Sequence, residues 1–166
     1  MYKLFKHHLL PFYFILAGCT STTSTSIREF HVFASGKPIP ETFEMTESTK
    51  EDGVSYYYLS LSDDNKDVEI LYDADKLGLY FAADQYLIKN TATFKESGLE
   101  TFEFGIYSNI QKYNDATGPI IFNADYGLLA ILNSHGPDVI VLPNNTSSKS
   151  AETIRRQINS IVYNLK

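Results

Sequence analysis

Short segments of alternating apolar and polar residues, separated by turn-forming clusters, run through most of the chain. Residues 27–34 (IREFHVFA) alternate well enough for a strand, since successive side chains on a strand point to opposite faces. Pro38 and Pro40 then break the pattern before a short segment at 41–47. Residues 54–62 (VSYYYLSLS) are rich in aromatics and strongly strand-like, 63–66 read as a turn, and 68–72 as the return strand. Further strands are expected at 77–83, 86–89, 91–95 and 101–107, the last with Phe102, Phe104 and Ile106 on one face. This succession predicts an antiparallel meander.

The pattern changes after Tyr107. Asn123 is placed to cap a short helix with Leu128, Leu129, Ile131 and Leu132 as its apolar side. Residues 138–142 read as one buried strand, and 144–148 (NNTSS) as a loop. Ser150 then caps a final helix to about residue 164. Its apolar residues Ile154, Ile158, Ile161, Val162 and Leu165 share an arc of roughly 100°. The expected fold class is α+β: an antiparallel sheet of short strands, then a short helix, a strand and a C-terminal amphipathic helix. Residues 27–166 are expected to form one domain.

The N-terminus follows a different logic. Lys3 and Lys6 precede an apolar run over residues 9–18, the charged-then-apolar order of an export signal. The run is too short to cross a bilayer as a helix. It ends in Leu16-Ala17-Gly18-Cys19, which resembles the bacterial lipoprotein box, where the cysteine is lipidated and becomes the first mature residue. The resemblance implies a signal peptide at 1–18 and a lipidated tether at 19–26, whose TSTTSTS stretch is small and polar. It also implies attachment to a membrane through the Cys19 lipid, in the bacterial cell envelope. The absence of Asp at position 20 points to the outer membrane by the sorting pattern of this class.

Composition narrows the chemistry. The 166 residues include 12 Tyr, 11 Phe, no Trp and one Cys. One cysteine excludes an intramolecular disulfide framework and any multi-cysteine metal site. The length suits one domain with a real core, and 43% hydrophobic residues exclude a disordered chain. Removing residues 1–18 takes away Lys3 and Lys6 but no acid, leaving 12 basic against 20 acidic residues, net −8. Residues 41–104 hold 15 acids and 5 lysines, net −10, whereas residues 105–166 hold 4 acids and 5 bases. That balance weighs against a nucleic-acid partner.

Several motifs resolve to ordinary structure. Asp63, Asn65 and Asp67 begin like a calcium loop, but its sixth position is Val68 and its twelfth Ala74, so a solvated hairpin turn is expected. Only His31 and His135 lie beyond the signal peptide, and neither a nucleophile elbow nor a phosphate-binding glycine loop occurs. No metal or cofactor is expected. Tyr56, Tyr57 and Tyr58 cannot all face one way on a strand, so at least one lies on the outer face, where an aromatic surface could hold a protein or glycan partner. Glu152 and Arg155, spaced i, i+3 on the last helix, read as a surface ion pair.

A second resemblance offers an enzymatic alternative. Residues 28–32 (REFHV), 68–82 (VEILYDADKLGLYFA), 101–107 (TFEFGIY) and 151–155 (AETIR) resemble, in order, segments of ribosome-inactivating proteins of the Shiga toxin and ricin A-chain family. The resemblance implies an rRNA N-glycosylase. Tyr80 and Tyr107 would sandwich an extruded adenine, while Glu152 and Arg155 would oppose the charges developing on sugar and base. The long helix expected after the first strand is replaced here by Gly36-Lys37-Pro38-Ile39-Pro40. The primary expectation is therefore a membrane-anchored, noncatalytic envelope lipoprotein, with Glu152 and Arg155 exposed and distant from Tyr80 and Tyr107.

Overall fold

Each strand pairs antiparallel with the next, and the last returns to the first, so the sheet closes on itself. The computed structural model describes residues 23–96, 98–111 and 117–164. Ten strands form the wall: β1 (Thr23–Ala34), β2 (Lys37–Lys50), β3 (Gly53–Ser60), β4 (Val68–Asp73), β5 (Gly78–Phe81), β6 (Asp84–Ala92), β7 (Phe104–Asn109), β8 (Thr117–Asn123), β9 (Gly127–Asn133) and β10 (Val139–Pro143). One helix, α1 (Ser148–Asn164), follows. The expected α+β fold with an open sheet is thus corrected to a closed ten-stranded antiparallel barrel with a C-terminal helix. Closure is made by β1, which pairs with β2 along its whole length and with β10 over residues 28–32.

Two cores explain the hydrophobic pattern. Inside the barrel, Phe30, Phe43, Tyr56, Tyr58, Ile70, Leu79, Tyr107 and Phe122 are among the side chains that form one buried cluster. Phe30 stacks on Phe43 with ring centroids 4.0 Å apart, and Tyr56 meets Phe122 edge-on at 5.0 Å. A ten-stranded barrel is wide, and large aromatic rings are an economical way to fill it. Outside the wall, Phe33, Phe104, Ile106, Ile121, Ala130 and Ile140 pack with Ala151, Ile154 and Ile158 of α1. Burying an isoleucine completely stabilises by roughly 1.5–3 kcal/mol, and Ile154 and Ile158 are both buried.

The expected helix after Asn123 is instead the β8–β9 hairpin. The Asn123 side-chain oxygen accepts the N–H groups of Asp125 and Tyr126, which makes a turn rather than a helix cap, and Gly127 sits at φ 91°. Register runs from Ile121 opposite Ala130 to Phe122 opposite Leu128, so Leu129 is an extra, bulged residue. The bulge sends Leu128 and Ile131 inward and Leu129 and Leu132 toward α1. A strand apolar on both sides with that spacing imitates a helix in sequence.

Two other boundaries move. β1 begins at Thr23, within the stretch expected as tether, with Ser24 opposite Glu47 and Thr25 opposite Thr46. The expected signal peptide, Cys19 and the first residues of the expected tether lie outside the described residues. β2 runs through Pro38 and Pro40, because β3 pairs only from Phe43 onward and the unpaired stretch of β2 is an edge, where proline is tolerated.

Candidate functional site

The sector of wall around β3–β5 carries a different outer surface from the sector beneath α1. Because Tyr56, Tyr58, Ile70 and Leu79 point inward, their neighbours Ser55, Tyr57, Leu71 and Tyr80 point outward. Register sets these into rows across the strands. Ser48, Ser55, Leu71, Tyr80 and Gln85 form one row, and Thr46, Tyr57 and Glu69 the next. Leu71 and Tyr80 are direct cross-strand partners and line an open groove of about 550 Å3. Lys50, Asp52, Asp67 and Glu69 line it as well. A smaller depression lined by Asp52, Leu71, Asp73, Lys76 and Tyr80 shares Asp52, Leu71 and Tyr80 with it.

Hydrogen bonds hold the polar side chains of this face in place. Gln85 Nε2 donates to the Tyr80 hydroxyl at 3.3 Å. Lys50 Nζ and Ser55 Oγ both donate to Glu69 Oε1, at 2.9 and 2.8 Å. The Tyr57 hydroxyl and the Ser60 N–H donate to the two oxygens of Asp67, and Lys76 Nζ reaches Asp73 Oδ2 at 2.7 Å. Each carboxylate is held below its ordinary range: Asp67 by the Tyr57 hydroxyl and then the Ser60 amide, Glu69 by Lys50 and then Ser55, Asp73 by Lys76. All three are ionised at neutral pH. The turns that end β5 are strained: Leu77, Ala82 and Ala83 all take positive φ (47°, 49° and 67°), where glycine or asparagine is usual.

The tyrosine triplet divides as strand geometry requires. Tyr56 and Tyr58 are buried inside the barrel. The Tyr56 hydroxyl donates to the Ala124 carbonyl, the Tyr58 hydroxyl accepts the Leu128 N–H, and burial pushes both phenols up. Tyr57 alone reaches solvent, at 38% exposure. The four residues of the enzymatic alternative are not gathered around one cleft. Tyr80 is on the outer face of β5, whereas Tyr107 is shut inside, 4% exposed, its phenol pushed up to about 12 by burial. Glu152 and Arg155 lie on α1, half-buried rather than exposed, and each is paired with a different residue. Arg155 Nε donates to Asp138 Oδ2 at 2.8 Å with its guanidinium 4.6 Å from the Phe33 ring centroid, and Glu152 accepts from Arg156 at 3.3 Å.

Sequence reasoning missed Leu71, Lys50, Asp52 and Glu69 as members of a surface. The available signal was parity: counting by two from the inward Ile70 and Leu79 puts Leu71 and Tyr80 outside. Among the described residues no cluster of three or more potential metal ligands forms, and no helix is long and apolar enough to cross a membrane. No protein-family model, no curated protein and no solved structure matches the chain, so its function has to be read from the residues of this barrel.

Proposed function

We propose that the protein is a lipid-anchored envelope binding module that holds its partner on the outer face of β3–β5. The observation that carries this reading is the Leu71–Tyr80 pair, an apolar floor in an open groove on the part of the wall that α1 leaves uncovered. The interior supports it indirectly: aromatic rings fill the barrel, so a partner docks outside. The carboxylates support a noncatalytic role. A general acid needs a raised pKa, and Asp67, Glu69 and Asp73 are all lowered by donors already in place. The anchor rests on Leu16-Ala17-Gly18-Cys19.

Site-specific photo-crosslinking in a bacterial host tests the binding face. A benzophenone side chain at Leu71 is expected to give a discrete adduct, identified by mass spectrometry. The same probe at Tyr163, exposed on α1, is expected to give none. Equal labelling at both positions, or none at Leu71, overturns the reading. Cys19→Ala is expected to block lipid processing and release the protein from membranes, and unchanged processing removes the anchor.

A further inference from the structure

We propose that the Leu71–Tyr80 groove receives an extended, basic peptide segment of a protein partner, an arginine or lysine lying against Tyr80 and an apolar side chain against Leu71. This rests on the reading of β3–β5 as the binding face and names the chemistry of what binds there.

Charge complementarity selects the partner. Asp52, Asp67, Glu69 and Asp73 border the groove and its adjoining depression against only Lys50 and Lys76, an excess of two negative charges. The surrounding residues 41–104 carry a net −10. Such a field draws in a cationic partner and repels acidic glycans and nucleic acids. The carboxylates are already oriented by Tyr57, Ser55, Lys50 and Lys76, so little ordering remains when a cation arrives.

Shape selects an extended segment. The groove runs from Lys50 and Asp52, at the β2–β3 turn, to Ala82 and Ala83, at the β5–β6 turn. It therefore follows β4 along its length, about 20 Å for six residues at the rise of a strand. β3, β4 and β5 are each paired on both sides, so no free strand edge is available there and backbone addition to the sheet is closed off. Recognition falls to side chains. A tyrosine ring whose hydroxyl is fixed by Gln85 suits a guanidinium or ammonium group, and Leu71 beside it suits an aliphatic one.

The test uses the full chain in detergent micelles and a fluorescein-labelled peptide of about six residues, a length matched to the roughly 20 Å of the groove. Arginine and leucine stand two positions apart in it, with serine between them, so that both face the groove. Anisotropy is expected to show binding that weakens at least tenfold when glutamine replaces arginine and weakens again between about 50 and 200 mM salt. Because any acidic protein attracts a polycation, the deciding comparison holds charge constant. Tyr80→Leu is expected to weaken binding at least fivefold with no change in net charge. Should Tyr80→Leu fold poorly, Asp52→Lys in an exposed turn is compared with Glu100→Lys, which changes net charge by the same amount outside the groove. The loss is expected to be at least fivefold larger at Asp52. Glu100→Gln, an exposed acid outside the groove, is expected to leave affinity within twofold of wild type.

Equal losses from Asp52→Lys and a Glu100→Lys control, or unchanged affinity in Tyr80→Leu, mean diffuse charge attraction and overturn the proposal. So does stronger, salt-independent binding of a neutral oligosaccharide. Failure of the peptide while the Leu71 crosslink still forms removes only the basic-peptide assignment. Failure of both removes the binding face itself.

Discussion

The Tyr58 hydroxyl accepts the backbone N–H of Leu128 at 2.8 Å, which ties β3 to the start of β9 through the barrel interior. Leu128 follows the turn at Gly127 and lies within the bulged part of the β8–β9 pairing. A phenol here satisfies a buried donor, as the buried end of an irregular strand requires.

Tyr58→Phe removes that acceptor and little else. The Leu128 N–H is left buried without a partner, so the variant is expected to lose about 1–3 kcal/mol. Urea denaturation of both proteins reads this as a lower midpoint with an unchanged slope.

Gly127→Ala strikes the same contact from the other side. Its φ is 91°, and a Cβ would lie 2.7 Å from the Tyr58 hydroxyl oxygen and 3.1 Å from the Met45 sulfur. Strain and overpacking together are expected to cost about 1–3 kcal/mol. Combining it with Tyr58→Phe is expected to be less than additive, since the two share that contact.

His31 makes the barrel sensitive to acid. It is buried on the outer side of β1, its sheet partners are Pro40 and Ile140, and neither ring nitrogen has a hydrogen-bond partner among the described residues. Burial lowers its pKa and outweighs the Glu29 carboxylate 3.6 Å away, which raises it. The unfolded chain therefore takes up a proton near pH 6.5, before the folded chain does. Stability is full above that pH and is lost as pH falls toward the folded value. Denaturation midpoints are expected to drop as pH falls below the ordinary histidine value of 6.5, and His31→Leu is expected to flatten that drop. Asp67, Glu69 and Asp73, also lowered, act in the same direction in a more acidic window.

On α1, Ile154→Ala is expected to cost about 2–5 kcal/mol, because the side chain is wholly buried against the wall. Arg155→Ala removes a partly exposed ion pair with Asp138 and the contact with Phe33, and is expected to cost about 1 kcal/mol or less. Thermal melts of the two variants rank them.

Ribosomes incubated with the protein are expected to retain the adenine that ribosome-inactivating enzymes remove. With Tyr107 inside the barrel and Tyr80 outside it, the two rings cannot sandwich one base. Release of adenine by the wild type but not by Glu152→Ala would overturn the noncatalytic reading.

Local pattern was enough for several elements. Alternation marked the strands at 27–34, 54–62 and 68–72, and the arc of Ile154, Ile158 and Ile161 marked α1, because each depends on which neighbours share a face. The parity of Tyr56, Tyr57 and Tyr58 placed one of them outside for the same reason. Closure was decided elsewhere. β1 meets β10 more than a hundred residues later, and nothing in either segment alone names its partner. The bulge at Leu129 was equally hidden, since it exists only relative to β8, and it turned a strand into the likeness of a helix. The groove belongs to that second kind of information: Leu71 and Tyr80 are ordinary residues in sequence, and cross-strand register makes them neighbours on an uncovered wall. Periodicity reports which side a residue faces; only long-range pairing decides what lies on that side.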